Sequence, residues 1–201
     1  MKWEQVTVLG DPPTGRTSHS SVVAGSKLVI FGGYANGLEK SDFFEIDLET
    51  TTGVHVTPTE KGTKIARVGH AALAIGKHVF VTGGWTGQQY SATGFLYDSE
   101  AQSIVLESSK ERLLPLPRRD HSVVLLSDRI FLFGGWSSLE HFNDLWVLSE
   151  SFTWTALQPE GDAPMPRRGQ TMVGFNKSLI VFGGLYGFSK VTRFLYWFLR
   201  L

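Results

Sequence analysis

The chain has 201 residues, 19 basic and 19 acidic side chains, no cysteine, and an apolar share of 42%. That length suits one domain with a real core. The missing cysteine excludes disulfides, Cys-based zinc sites and a thiol nucleophile. The balanced charge lacks the basic excess with which nucleic-acid binders neutralise phosphates.

A cytoplasmic protein with neither a nucleic-acid nor a membrane partner is therefore expected. A cysteine-free sequence fits a reducing compartment, and Met1-Lys2-Trp3-Glu4-Gln5-Val6 lacks the apolar run of a signal peptide. The most apolar stretch, Phe194 to Leu199, falls far short of the ~20 residues that span a bilayer.

In sequence order, Met1–Leu9 carries Trp3 and reads as a strand that belongs to a repeat unit without its other strands. Arg16 follows, then a small mixed strand, His19-Ser20-Ser21-Val22-Val23, and a turn at Gly25-Ser26. A continuous apolar strand, Leu28-Val29-Ile30-Phe31, ends on Gly32-Gly33. Asp42 opens a third strand (Phe43 to Ile46), and Val54 marks a fourth. Short β-branched and aromatic runs without alternation predict strands buried on both faces.

The same order recurs three more times. The arginines are Arg67, Arg118 and Arg167, and the doublets are Gly83-Gly84, Gly134-Gly135 and Gly183-Gly184. The third-strand openers are Thr93 and Asp144, and the fourth-strand markers are Val105 and Trp154. Doublets are 51, 51 and 49 residues apart, and each arginine lies 16 residues before its doublet. Three markers in one register define a repeat of about 50 residues. Nothing shows a sustained period of 3.6, so helix content is predicted to be close to nil.

Four strands per repeat with Gly-Gly closing the second resemble the kelch family. So do Arg-x-x-His at Arg16/His19, Arg67/His70 and Arg118/His121, and the fourth-strand tryptophans Trp3 and Trp154. The resemblance covers essentially the whole sequence. It implies an all-β, kelch-type β-propeller of four repeats, partial or open. The repeats fall at approximately 12–58, 63–109, 114–158 and 163–201, with 1–9 a fourth strand of the closing or preceding blade. The glycine pairs are expected where backbone needs positive φ or a close neighbour; neither a P-loop nor a dinucleotide pattern accompanies them.

The fourth repeat departs from the pattern. Its Arg-x-x-His slot reads Arg167-Arg168-Gly169-Gln170, Arg193 replaces the third-strand acid, and Phe194–Leu201 is almost wholly apolar. Kelch propellers usually close with six or seven blades. Two arrangements follow: Met1–Leu9 completes the last blade, or the chain is a shortened product of a longer propeller with an aberrant tail, which the tail favours. Met1 falls just before a register tryptophan, so the start reads as native. An unclosed fan exposes apolar faces, which predicts weak stability or self-association through unclosed blade edges.

His19, His70 and His121 share one slot, where blade hydrogen bonding is expected in preference to a metal site. The four register arginines are expected to hold a loop carbonyl or a neighbouring blade's acid. Arg118-Arg119 and Arg167-Arg168 exceed what the repeat requires. Adjacent guanidinium groups suit carboxylates, including acidic peptides or free carboxyl termini. The loops after each doublet vary and carry aromatic residues, as recognition loops on a rigid scaffold do.

No metal and no cofactor is expected, and no enzyme. Copper-radical oxidases of this fold need a tyrosine–cysteine cross-link, and the Glu-x-x-x-Asp-x-x-x-His iron motif of plant specifier proteins is absent. Asn176-Lys177-Ser178 reads as a turn rather than a glycosylation site.

The resemblance implies a protein–protein interaction module, scaffold or substrate-recognition domain that binds a protein or peptide partner. The residues expected at that surface are Tyr34, Trp85, Tyr90, Arg118, Arg119, Trp136, His141, Arg168 and Tyr186. The alternatives are a non-functional propeller fragment and, last, an enzyme with a small-molecule site. A ubiquitin-ligase link rests on analogy alone.

Overall fold

The computed structural model describes residues 1–57, 65–107, 114–191 and 194–198. Arg193, the last three residues of the apolar tail and the first two junctions between repeats (58–64 and 108–113) lie outside them. The described residues are all-β, with no helix.

Blade 1 pairs β1 (Ser20–Ala24), β2 (Lys27–Phe31), β5 (Phe43–Asp47) and β6 (Gly53–Val56) in that order, all antiparallel. Between β2 and β5 lies a short hairpin, β3 (Tyr34–Ala35) and β4 (Leu38–Glu39), turned by Asn36 and Gly37, both at positive φ. Blade 2 comprises β7 (Ala71–Ile75), β8 (His78–Thr82), β9 (Gly94–Asp98) and β10 (Ser103–Glu107). Blade 3 comprises β11 (Ser122–Leu126), β12 (Arg129–Phe133), β13 (Leu145–Leu148) and β14 (Trp154–Leu157).

Blade 4 has three strands among the described residues: β15 (Thr171–Phe175), β16 (Ser178–Phe182) and, past the hairpin β17 (Leu185–Tyr186)/β18 (Ser189–Lys190), β19 (Phe194–Phe198). The apolar tail thus takes the third-strand place, paired along β16. Met1–Val8 carries no strand. Leu9 makes a parallel bridge to Thr52 of blade 1, its N–H donating to Thr51 O at 2.9 Å.

The first strands of successive blades stand side by side, and side chains from facing blades form three separate cores. Between blades 1 and 2, Phe43 stacks on Tyr97 at 3.8 Å between centroids, and Phe31 meets Phe95 edge-on at 5.3 Å. Phe80 and Trp154 belong to the second core, and Phe131, Phe133 and Met172 to the third. Each such fully buried aromatic stabilises by roughly 1.5–3 kcal/mol. The continuous apolar runs of β2, β8, β12 and β16 are explained by this arrangement, since alternate residues serve opposite joints. The stack is open: blade 4's trailing residues Val173 and Phe175 are 47% and 58% exposed.

One set of backbone bonds ties each blade to the next. The second glycine of each doublet donates to the following blade's arginine carbonyl: Gly33 to Arg67 (2.7 Å), Gly84 to Arg118 (2.7 Å) and Gly135 to Arg167 (2.8 Å). The doublets therefore need glycine for two reasons. Gly134 sits at φ +66°, and a Cβ there would lie 2.8 Å from Gln170 Nε2 and 2.9 Å from the Arg167 carbonyl.

Candidate interaction surface

The register arginines act within their own blade. Arg118 Nη1 donates to Gly134 O at 3.0 Å, and its Nη2 to Asp144 Oδ2 at 2.7 Å. Arg16 repeats this with Gly32 O and Asp42, and Arg67 with Gly83 O and the Thr93 hydroxyl. Arg167 donates to Gly183 O at 3.1 Å. Where an acid meets the arginine, at Asp42 and Asp144, it comes from the same blade, not the neighbouring one. Burial opposes ionisation of Asp42, but hydrogen bonds from Arg16 and His55 outweigh it and hold the carboxyl below its usual range.

The histidine slot works differently from expectation: it fills joints between blades. His70 Nε2 lies 2.8 Å from Ser20 Oγ of blade 1, whereas neither ring nitrogen of His121 has a hydrogen-bond partner among the described residues. Burial, reinforced by the neighbouring arginine, lowers both histidines to a pKa of about 3. Both rings are neutral at pH 7. His19, on the open side of blade 1, is exposed.

Adjacent residues in an extended segment point to opposite sides, and this divides the doubled arginine. Arg118 is buried, its guanidinium 4.0 Å above Phe142, and it belongs to the scaffold. Arg119 turns outward and bridges by backbone to Trp136, as Arg168 bridges to Leu185. Both guanidinium groups converge on one indole: Arg119 lies 5.1 Å and Arg168 4.6 Å from the Trp136 centroid. Between them sits Asp120, 3.3 Å from Arg119 Nε and 3.8 Å from Arg168 Nη1. Burial raises the pKa of Asp120 against the pull of both arginines.

The post-doublet aromatics form a row across three blades. Trp85 meets Tyr90 at 5.0 Å, Tyr90 meets Trp136 at 5.6 Å, Trp136 meets His141 at 6.3 Å, and His141 meets Tyr186 at 5.6 Å. Burial and then Arg168 lower the His141 pKa, and among the described residues its Nε2 is buried without a hydrogen bond, as is Arg168 Nε. Of the nine residues expected at this surface, seven come together: Trp85, Tyr90, Arg119, Trp136, His141, Arg168 and Tyr186. Arg118 lies beneath it, and Tyr34 stands apart on blade 1, exposed and bridged to Thr17.

The family model described as the KLHDC2/KLHL20/DRC7 Kelch-repeats domain matches residues 1–184. The chain belongs to the kelch-repeat family. It is 31% identical over 91% of its length to human Kelch domain-containing protein 3, of which the match covers 51%. It is also 28% identical to Tip elongation aberrant protein 1 of Schizosaccharomyces pombe (92% of this chain, 17% of that protein). Against the Drosophila melanogaster Leucine-zipper-like transcriptional regulator 1 homolog it is 29% identical (90% and 20%). The chain spans about half the length of Kelch domain-containing protein 3.

Kelch domains are generally protein-interaction modules, and this protein shares their architecture. Among the described residues no group of three His, Asp or Glu could hold a metal ion, and no helix is long and apolar enough to cross a membrane. Two features of the molecule were not anticipated from the sequence. Asp120 gives no sequence signal, because its slot holds Ser18 in blade 1 and glycine in blades 2 and 4. A cavity of about 400 Å³ lies at the opposite ends of β7 and β11, lined by Ile75, Leu96, Leu125, Ile130, Leu148 and Phe152.

Proposed function

We propose that this kelch protein recognises a partner peptide along the row from Trp85 to Tyr186, with a partner carboxylate held by Arg119 and Arg168. The observation that carries this reading is the pair of guanidinium groups on the Trp136 indole. Their side chains are 29% and 28% exposed, and Asp120 neutralises only one of the two charges. One positive charge is left at the centre of an aromatic strip. Aromatic residues and arginine dominate binding energy at interfaces, and a guanidinium fork matches a carboxylate in two hydrogen bonds. Either an acidic residue or a free carboxyl terminus supplies that group.

The test is an array of peptides in three forms: acidic, ending in a free carboxylate, and ending in an amide. Binding to the first or second form but not the third, lost in Trp136→Ala and in Arg168→Ala, is the expected result. Equal binding of all three forms, or full binding by Trp136→Ala, overturns the assignment.

A further inference from the structure

At the end away from the aromatic row, the joint between blades 1 and 2 is sealed by side chains that the next joint lacks. Lys27 Nζ of blade 1 donates to Glu45 Oε2 at 2.8 Å and, across the joint, to Ser99 O at 2.6 Å. The Tyr97 hydroxyl donates to Glu45 Oε1 at 2.7 Å, and Glu45 is buried. A backbone bond from Gly25 N–H to Gly76 O (3.0 Å) closes the mouth. An ammonium on an alkyl stem and an aromatic ring therefore fill this space.

One repeat step of 51 residues later, between blades 2 and 3, each of these parts is replaced. Lys27 becomes His78, Glu45 becomes Leu96, Tyr97 becomes Leu148 and Ser99 becomes Glu150. His78 lies against Asp98 of its own blade, Nε2 to Oδ2 at 3.3 Å, and among the described residues no backbone bond joins Gly76 to the Ser127 carbonyl. The space left is the cavity of about 400 Å³, within the roughly 300–1,000 Å³ of small-molecule sites. Its walls are apolar and come from both blades. The carboxylates of Asp128 and Glu150 stand at its mouth, exposed and without an ion pair among the described residues. Among the described residues His78 is the one basic side chain that lines it; the neighbouring Lys77 is engaged by Asp98 (3.3 Å) and Glu100 (2.7 Å).

We infer that this cavity binds a small organic amine, an apolar body carrying a protonated nitrogen, which supplies from outside what Lys27 and Tyr97 supply in the preceding joint. The body takes the place of the Tyr97 ring, against Leu96, Ile130 and Leu148, and the ammonium sits at the mouth beside Asp128 and Glu150. Two features select this ligand over others. Rim carboxylates that no basic side chain offsets favour a cation over a neutral or anionic group. Walls of leucine, isoleucine and phenylalanine gain only from an apolar body that displaces water from them. An inorganic cation or a polar amine meets the first condition and fails the second.

Tryptamine is the probe, compared with its neutral alcohol analogue tryptophol and with indole-3-propionate, which share its indole ring. Binding to the full chain is read from the methyl NMR signals of Ile75, Leu96, Leu125, Ile130 and Leu148. Tryptamine should shift these signals, tryptophol should bind at least about 5-fold more weakly, and indole-3-propionate should leave them unmoved. Two variants separate body from charge. Leu148→Tyr copies blade 2 and fills the cavity, so it should abolish the tryptamine shifts at the other four residues. Asp128→Asn combined with Glu150→Gln, both at exposed positions, should melt as the wild type does and bind tryptamine no better than tryptophol. Equal binding of the three compounds, tryptamine shifts that persist in Leu148→Tyr, or an undiminished preference for the amine in the double variant would each refute the site. So would a blocked peptide pairing lysine with tryptophan that binds these walls when tryptamine does not, since the occupant would then be a protein segment.

Discussion

The buried histidines make stability fall with acid in a way that can be calculated. Folded His70 and His121 are held neutral down to about pH 3, burial being the larger cause and the adjacent arginine the next. In the unfolded state a histidine takes up its proton near pH 6.5. Between those values the unfolded state binds more protons, so stability falls as pH drops, by up to ~1.4 kcal/mol per pH unit for each ring. At about pH 5 the loss is about 2 kcal/mol per histidine and about 4 kcal/mol for both. A domain has only about 5–15 kcal/mol in total. Urea unfolding at about pH 7.5 and about pH 5 measures this difference directly. The informative variant is His121→Gln, because blade 4 already uses glutamine in this slot, with Gln170 Nε2 donating to Phe133 O at 2.8 Å. Glutamine does not titrate, so the variant should lose about 2 kcal/mol less than the wild type over the same pH interval. An acid-induced loss equal in both proteins would refute the buried neutral imidazole as its cause.

Three further outcomes follow from the geometry. Arg118→Lys removes the two-pronged contact with Asp144 and the bond to Gly134 O, and should cost about 2–4 kcal/mol in chemical unfolding while Arg119→Lys costs under about 1 kcal/mol. Gly134→Ala should destabilise by about 2–4 kcal/mol, from positive φ and overpacking together, whereas Gly183→Ala, at φ +73° with no described atom nearer than 3.9 Å to the added Cβ, should cost only about 1–2 kcal/mol; equal shifts in melting midpoint would contradict the packing argument. Arg168→Ala should weaken carboxylate-peptide binding about 10- to 100-fold, read by fluorescence polarisation, with the melting temperature little changed.

The fold was legible because its markers are backbone requirements. A doublet at positive φ under a neighbouring carbonyl tolerates only glycine, and an arginine that spans 16 residues to a carbonyl and 26 to Asp42 or Asp144 must keep its place in every repeat. The site was legible as a set of residues but not as an arrangement. Sequence places an aromatic after each doublet without saying that Trp85, Tyr90, Trp136, His141 and Tyr186 touch in series across blades. It groups Tyr34 with them although Tyr34 does not join the row. The doubled arginines were separable in principle, since Arg16 and Arg67 hold the register alone and so mark Arg118 and Arg167 as the inward members. What the repeat could not reveal is Asp120, whose slot requires a backbone N–H and C=O at positive φ and is otherwise glycine or serine. That freedom is why a charge can be installed there without disturbing a joint. In blade 3 it sets how much positive charge Arg119 and Arg168 leave at Trp136, so Asp120→Gly, the residue of blades 2 and 4, should tighten carboxylate binding while the blade stays folded.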